Sequence, residues 1–278
     1  MLHYGCDYYP EHWPETRWEL DARLMQEAGL NVTRIGEFAW ARMEPREGQY
    51  DWDWLDRVIG VLADHGIQVV LGTPTAAPPP WLTTAHPEVR PRDQHRRVRH
   101  EGSRRHYCPN SPLYQDYSRR IVTALAERYG RDQRVIGWQI DNEFGCHETQ
   151  VCYCDTCAAG YRAWLRERYG SLEALNDAWG SGFWSALYGA WEEVPLPWAT
   201  LTWHNPSHVL DFYRFGSDSM RDYQQIQIDI LRALAPGQFI THNFMTLRCR
   251  ELDLYDMAAP LDFVSWDNYH YEGATPAS

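Results

Sequence analysis

Apolar residues follow two rhythms along this chain. Short runs with strand character fall at 2–9 (LHYGCDYY), 31–36 (NVTRIG), 67–73 (IQVVLGT), 135–140 (VIGWQI), 238–244 (QFITHNF) and 261–269 (LDFVSWDNY). Between them the apolar positions recur near helical period. At 16–29, Trp18, Leu20, Leu24, Met25 and Ala28 recur before a stop at Gly29. The stretch 52–66 also closes on glycine. At 111–130, Ser111 suits an N-cap and Pro112 the first helical position. A long helix is expected at 207–237, with shorter ones near 158–169 and at 251–258.

Strands alternating with helices imply βαβ units and a parallel sheet. Polar and aromatic residues collect where the strands end: Asp7, Arg34, Glu37, Thr73, Asn142, Glu143, His242, Asn243, Trp266 and Asp267. In a (β/α)₈ barrel that rim carries the active site. A doubly wound sheet competes, but no Gly-rich phosphate loop follows any strand. The expectation is an α/β (β/α)₈ TIM barrel that is incomplete, with about six of its eight β/α units in the sequence. With no repeat, low-complexity tract or linker, residues 1–278 read as the N-terminal part of one barrel. A cysteine- and Trp-rich insertion lies at about 146–206.

Composition narrows the function classes. A formal net charge of −12 argues against nucleic-acid or anionic-membrane partners, which call for a basic face. The one basic run, 90–105, reads as a phosphate patch or as a solvated loop with one arginine turned inward. The 14 Trp and 17 Tyr against 8 Phe suit sugars, which have apolar faces and hydroxyl edges, and equally suit a Trp-rich core. No apolar run is long enough for a membrane span, and Met1-Leu2-His3-Tyr4-Gly5 has neither the basic nor the apolar region of a signal peptide. The expected compartment is therefore the cytoplasm. Seven unevenly spaced cysteines do not form a disulfide framework.

The densest chemistry lies in VIGWQIDNEFGCHETQVCYCDTC (135–157). An Asn-Glu pair ending an apolar strand can be an ordinary solvated terminus. At an aromatic rim, partial burial disfavours the charged form and suits Glu143 as a general acid near neutral pH. Asn142 beside it can hold a substrate hydroxyl. Cys152, Cys154 and Cys157 place three thiols on one loop, and a closed tetrahedral Zn²⁺ site needs a fourth ligand. Cys108, Cys146 and His147 are candidates for it. Free thiols or a redox pair are the competing readings. Cys6 and Cys249, in or near strand patterns, are expected to be buried.

Several stretches together resemble the β-galactosidases of glycoside hydrolase family 42. They are YGCDYYPEHWP (4–14), RIGEFAWARMEPREGQYDWDWLD (34–56), LGTPTAAPPPWL (71–82), RRHYCPNSP (104–112), GWQIDNEFG (137–145), CYCDTC (152–157), LNDAWGSGFWSALYGAWEEVPLP (175–197) and LDFVSWDNY (261–269). The resemblance implies that Glu143 is the acid/base and that Asn142 and Arg104 contact the sugar. It places Arg34 and Trp184 in the pocket lining, although Arg34 could instead form an ion pair with Glu37. It also implies a structural zinc on Cys108, Cys152, Cys154 and Cys157, a β-galactoside substrate and a homotrimer. The family retains anomeric configuration, which needs a second carboxylate. That nucleophile follows strand seven, and neither Asp267 nor Glu272 matches it. The sequence is therefore expected to be truncated and to lack hydrolytic activity alone. A vestigial sugar-binding barrel is the alternative. A zinc hydrolase is disfavoured because no His-x-x-x-His spacing occurs.

Overall fold

The computed structural model describes residues 2–245 and 252–268. Strands β1 (Gly5–Asp7), β2 (Val32–Ile35), β3 (Gln68–Gly72), β4 (Val135–Gln139) and β5 (Phe239–Thr241) form a parallel sheet in chain order. Next come β6 (Asn243–Phe244) and β7 (Ser265–Trp266), paired in parallel with each other. A doubly wound sheet reverses its strand order at a switch point, and this one does not. The order is that of a (β/α)₈ barrel, of which the described strands supply six consecutive positions. The predicted strand 238–244 is divided at His242: its first half pairs with β4 and its second with β7.

The helices are α1 (Trp18–Glu27), α2 (Trp40–Met43), α3 (Asp53–Asp64), α4 (Pro80–Ala85), α5 (Pro112–Tyr129), α6 (Asp155–Tyr169), α7 (Leu172–Trp179), α8 (Pro206–Leu234) and α9 (Leu254–Ala258). Val69, Leu71, Trp138 and Ile240 on the strands share a buried core with Leu55, Ile59, Ile121, Leu125, Tyr223 and Leu231 on the helices. Ser111 caps α5 as predicted, its Oγ accepting from Tyr114 N at 3.3 Å. Strands β2 and β3 approach closely where β3 ends. A Cβ at Gly72 would lie 2.4 Å from the Cβ of Glu37, so only glycine fits there.

The insertion has its own core. Tyr161 and Leu165 of α6, Leu175 and Trp179 of α7, Val194 and Leu196 pack on Phe212 and Phe215. Those two phenylalanines lie in the first half of α8, whose second half carries Met220, Tyr223 and Ile228 into the barrel core. One rigid helix thus joins the two cores.

Two expectations about side chains fail. Leu20 and Leu24 are exposed, at 39% and 48%, because α1 turns Trp18, Asp21 and Ala22 inward instead. Asp21 is tolerated there because the Tyr8 hydroxyl donates to it at 3.1 Å and Arg17 pairs with it at 3.0 Å. Cys6 is exposed rather than buried, since β1 is the sheet edge and Cys6 lines its open concave face. Cys249, Tyr269 and Glu272 lie outside the described residues.

Candidate active site

Strand β4 ends in Asp141-Asn142-Glu143. Asp141 and Glu143 adopt φ values of 49° and 47°, a left-handed conformation that costs non-glycine residues on the order of 1–3 kcal/mol each. The surroundings must therefore fix this turn. Buried Asp141 accepts from Thr75 Oγ1 at 2.7 Å, Tyr107 Oη at 2.9 Å, Arg105 Nη1 at 2.5 Å and Asn142 N at 2.7 Å. Arg105 Nη1 also donates to the Asn142 carbonyl at 3.1 Å, and Thr73 Oγ1 accepts from Asp141 N at 2.7 Å. On the far side, His242 Nδ1 lies 2.7 Å from the Ile140 carbonyl while its Nε2 lies 3.1 Å from Phe144 N. Only the neutral ring protonated at Nδ1 satisfies both contacts. Burial agrees, pushing this imidazole down to about 3.

So held, the Glu143 residue is 3% exposed, and its Oε2 accepts from Arg104 Nη2 at 2.8 Å. Asn243 ties the rim together. Its Oδ1 accepts from Glu143 N at 3.3 Å, and its Nδ2 donates to Asn142 Oδ1 at 3.1 Å and to Asp267 Oδ2 at 2.9 Å. Burial first, and then the neighbouring Glu143, push the Asp267 carboxyl up to about 6. A buried carboxyl beside a cation and a side-chain amide is placed to meet a polar group of a substrate.

The structure thus brings Glu143, Asn142 and Arg104 together. Arg34 forms the ion pair with Glu37, at 3.1 Å, and a second with Asp7 at 2.8 Å, while Nη1 donates to Gln139 Oε1. Trp184 stands apart from the Glu143 cluster. It is 68% exposed and lines a surface cavity of the insertion with Trp179, Phe183, Trp203 and His204. The basic run does turn an arginine inward: Arg105, the counter-ion of Asp141. Sequence reasoning did not assign Asp141, Arg105, Tyr107 and Thr75. The signal for Asp141 is an acidic residue directly continuing an apolar strand.

Cys108, Cys152, Cys154 and Cys157 are buried with their Sγ atoms all within 4.8 Å of one another, so they could hold a metal ion. Cys108 Sγ lies 3.7 Å from Cys154 Sγ and 3.4 Å from Cys157 Sγ. The fourth thiol is therefore Cys108. Cys146 Sγ instead contacts His147 Nδ1 at 3.1 Å. Hydrogen bonds from Cys108, Cys152 and Cys157 hold Cys154 far below the usual thiol range. The cluster fastens three loops, because Cys152 Sγ accepts from Arg92 N at 3.3 Å and the Arg92 carbonyl accepts from Tyr153 N at 3.0 Å.

Comparison with known proteins gives this site its setting. The chain is 56% identical over 265 residues to a β-galactosidase of Thermus thermophilus, a match covering 95% of the chain and 41% of that protein. The β-galactosidase structure from the haloarchaeon Halorubrum lacusprofundi superposes with a TM-score of 0.94 at 47% identity, covering 99% of the chain and 42% of its own. That of Marinomonas ef1 gives 0.93 at 46%, covering 96% and 41%. The catalytic domain of a Paenibacillus polymyxa β-amylase, 11% identical with a TM-score of 0.72, shares the fold alone. The chain thus spans about two-fifths of the length of the β-galactosidases it matches, 41% for the first of them. The family model described as β-galactosidase matches residues 7–278, and the chain belongs to glycoside hydrolase family 42.

Proposed function

We propose that this chain is the N-terminal portion of a retaining β-galactosidase that hydrolyses terminal non-reducing β-D-galactosides, with Glu143 as acid/base. The observation that carries this reading is the Glu143 carboxyl, buried at the end of the fourth strand and ion-paired with Arg104, in a family 42 chain. Asn142 and Arg104 hold sugar hydroxyls beside the bond to be cleaved, and Arg34 lines the pocket, whereas Trp184, on the separate cavity of the insertion, is not assigned to it. Retention requires a second carboxylate about 5–5.5 Å from the first. We assign it to the length of the relatives that this chain does not cover, at the end of a seventh strand. The 278 residues alone then hold half of the catalytic pair and are inactive. Residues 1–278 form part of one barrel, with its insertion at about 146–206, in a homotrimer. A reducing compartment suits the free described cysteines, and the cytoplasm is proposed on that ground.

The test is hydrolysis of a nitrophenyl β-galactoside by a chain carried to the relatives' length, with the first-formed anomer read by NMR. Turnover with β-galactose as the initial product is expected. An α-anomer overturns retention, and sugar binding without turnover turns the reading toward a vestigial binding barrel. The present chain is expected to give no turnover, and hydrolysis by it alone would refute the half-pair.

The four thiols fit zinc. Tetrahedral Zn–S bonds of about 2.3 Å put sulfurs about 3.8 Å apart, close to the 3.7 Å between Cys108 and Cys154. With four protein ligands no position is open, so the ion is structural. Metal analysis of protein purified without chelator is expected to find about one zinc per chain, and Cys154→Ser is expected to lose most of it. Metal-free wild-type protein would refute the assignment.

A further inference from the structure

The turn that follows β2 places an aromatic ring on the rim of the site. Gly36 takes a φ of 90°, and Ala39 N donates to the Gly36 carbonyl at 3.1 Å, so Glu37 and Phe38 form the corner of a closed turn. Glu37 points inward to Arg34, and Ala39 and Trp40 are buried, which leaves Phe38 half-buried at the rim. The Phe38 ring meets two groups. Tyr9, from the turn after β1, stacks on it with centroids 6.0 Å apart and planes inclined by 15°. The guanidinium carbon of Arg104, from the loop after β3, lies over it at 5.6 Å from the centroid. That distance is within the range of cation–π attraction.

Hydrogen bonds alone leave the plane of Arg104 loosely fixed. Its Nη2 donates to Glu143 Oε2 at 2.8 Å, but its Nε is buried with no hydrogen-bond partner among the described residues. A guanidinium joined to a carboxylate through one nitrogen, rather than through both prongs of its fork, can pivot about that bond. An aromatic face against the plane removes the pivot, because the attraction requires the cation to lie over the ring.

We propose that Phe38 is a positioning residue of the site: its ring, itself stacked on Tyr9, fixes the plane of the Arg104 guanidinium and through it the direction of the Glu143 carboxyl. Phe38 touches no reacting atom in this role. A displacement of about 1 Å in a catalytic group can cost as much as a hundredfold in rate, so a contact that only orients is still felt in turnover. The consequence for turnover rests on the acid/base reading above, but the contact between ring and guanidinium does not.

The experiment compares the chain with its Phe38→Leu and Phe38→Tyr variants by NMR. The Arg104 guanidinium proton signal is assigned by its loss in Arg104→Gln. Shielding by the ring is expected to hold that signal upfield in the unsubstituted chain and in Phe38→Tyr, and Phe38→Leu is expected to move it downfield. A signal that leucine leaves in place overturns the proposal. Should leucine prevent folding, Phe38→Met, which fills similar space without an aromatic face, takes its place. In a chain of the relatives' length, Phe38→Leu is expected to lower kcat on an alkyl β-galactoside roughly threefold to thirtyfold, the worth of a cation–π contact from exposed to desolvated. Phe38→Tyr is expected to restore most of it. In an Arg104→Gln background the leucine substitution is expected to cost little more, since the ring acts through the guanidinium. Equal losses in both backgrounds would show a ring that only fills space, and would overturn the positioning. A ring-dependent signal in a chain of the relatives' length that hydrolyses no galactoside keeps the contact and removes the glycosidase reading. Hydrolysis with an unmoved signal removes only the positioning.

Discussion

Replacing Arg105 with methionine is expected to destabilise the chain by about 3–5 kcal/mol, the cost of leaving one partner of a buried ion pair without the other. The Arg105 and Asp141 side chains are 2% and 0% exposed, so no water can replace the guanidinium at Asp141. The loss extends to the turn, since Arg105 also fixes the Asn142 carbonyl between two left-handed residues. Urea unfolding measures the cost. For a chain of this size a fall in Tm of roughly ten degrees should accompany it. The double variant Arg105→Met/Asp141→Asn is expected to recover part of the loss, because the amide still accepts from Thr75 and Tyr107 and no charge is left unpaired. A cost below about 1 kcal/mol for Arg105→Met would show that the pair is not what holds the turn.

Much of this arrangement is legible in the sequence, for local reasons. Buried parallel strands are short apolar runs, and the residues that end them must face the rim, so Asn142, Glu143, Asn243 and Asp267 are placed by the alternation alone. The Ser111-Pro112 helix start is legible because a cap is a contact between neighbours. What is not legible is which long-range partner wins. Arg105 is one of several arginines in a run without periodicity, and it meets Asp141 across 36 residues of sequence. Spacing alone leaves the fourth ligand among Cys108, Cys146 and His147, the family resemblance points to Cys108, and the fold brings Cys108 to Cys154. Leu20 and Leu24 mislead for a related reason. A helix buries a stripe, and the stripe of α1 runs through Trp18 and Ala22 with Asp21 admitted by a tyrosine hydroxyl. Trp184 resembles a pocket residue by its flanking motif, yet it is exposed on the insertion, where nothing in its own sequence ties it to Glu143.

The second large effect is on rate. In a chain of the relatives' length, Glu143→Ala is expected to slow hydrolysis of alkyl β-galactosides by about 10²–10⁴, the contribution of a positioned general acid. A dinitrophenyl galactoside, whose leaving group departs as a stable anion, needs little protonation and should lose far less in the first step. Glu143→Gln separates geometry from proton transfer. Its amide oxygen can still accept from Arg104, as Oε2 now does at 2.8 Å, so the pocket is kept while the proton is not. The glutamine variant is therefore expected to match the alanine variant on alkyl substrates, with KM less affected than kcat. A role limited to binding predicts the reverse: glutamine largely active, and both substrates slowed alike by alanine. The turn supports the acid role on physical grounds. Two strained residues and a buried counter-ion, with a cost of several kcal/mol for its loss, fix the direction of one carboxyl, and such strain persists only where the surrounding structure over-determines it.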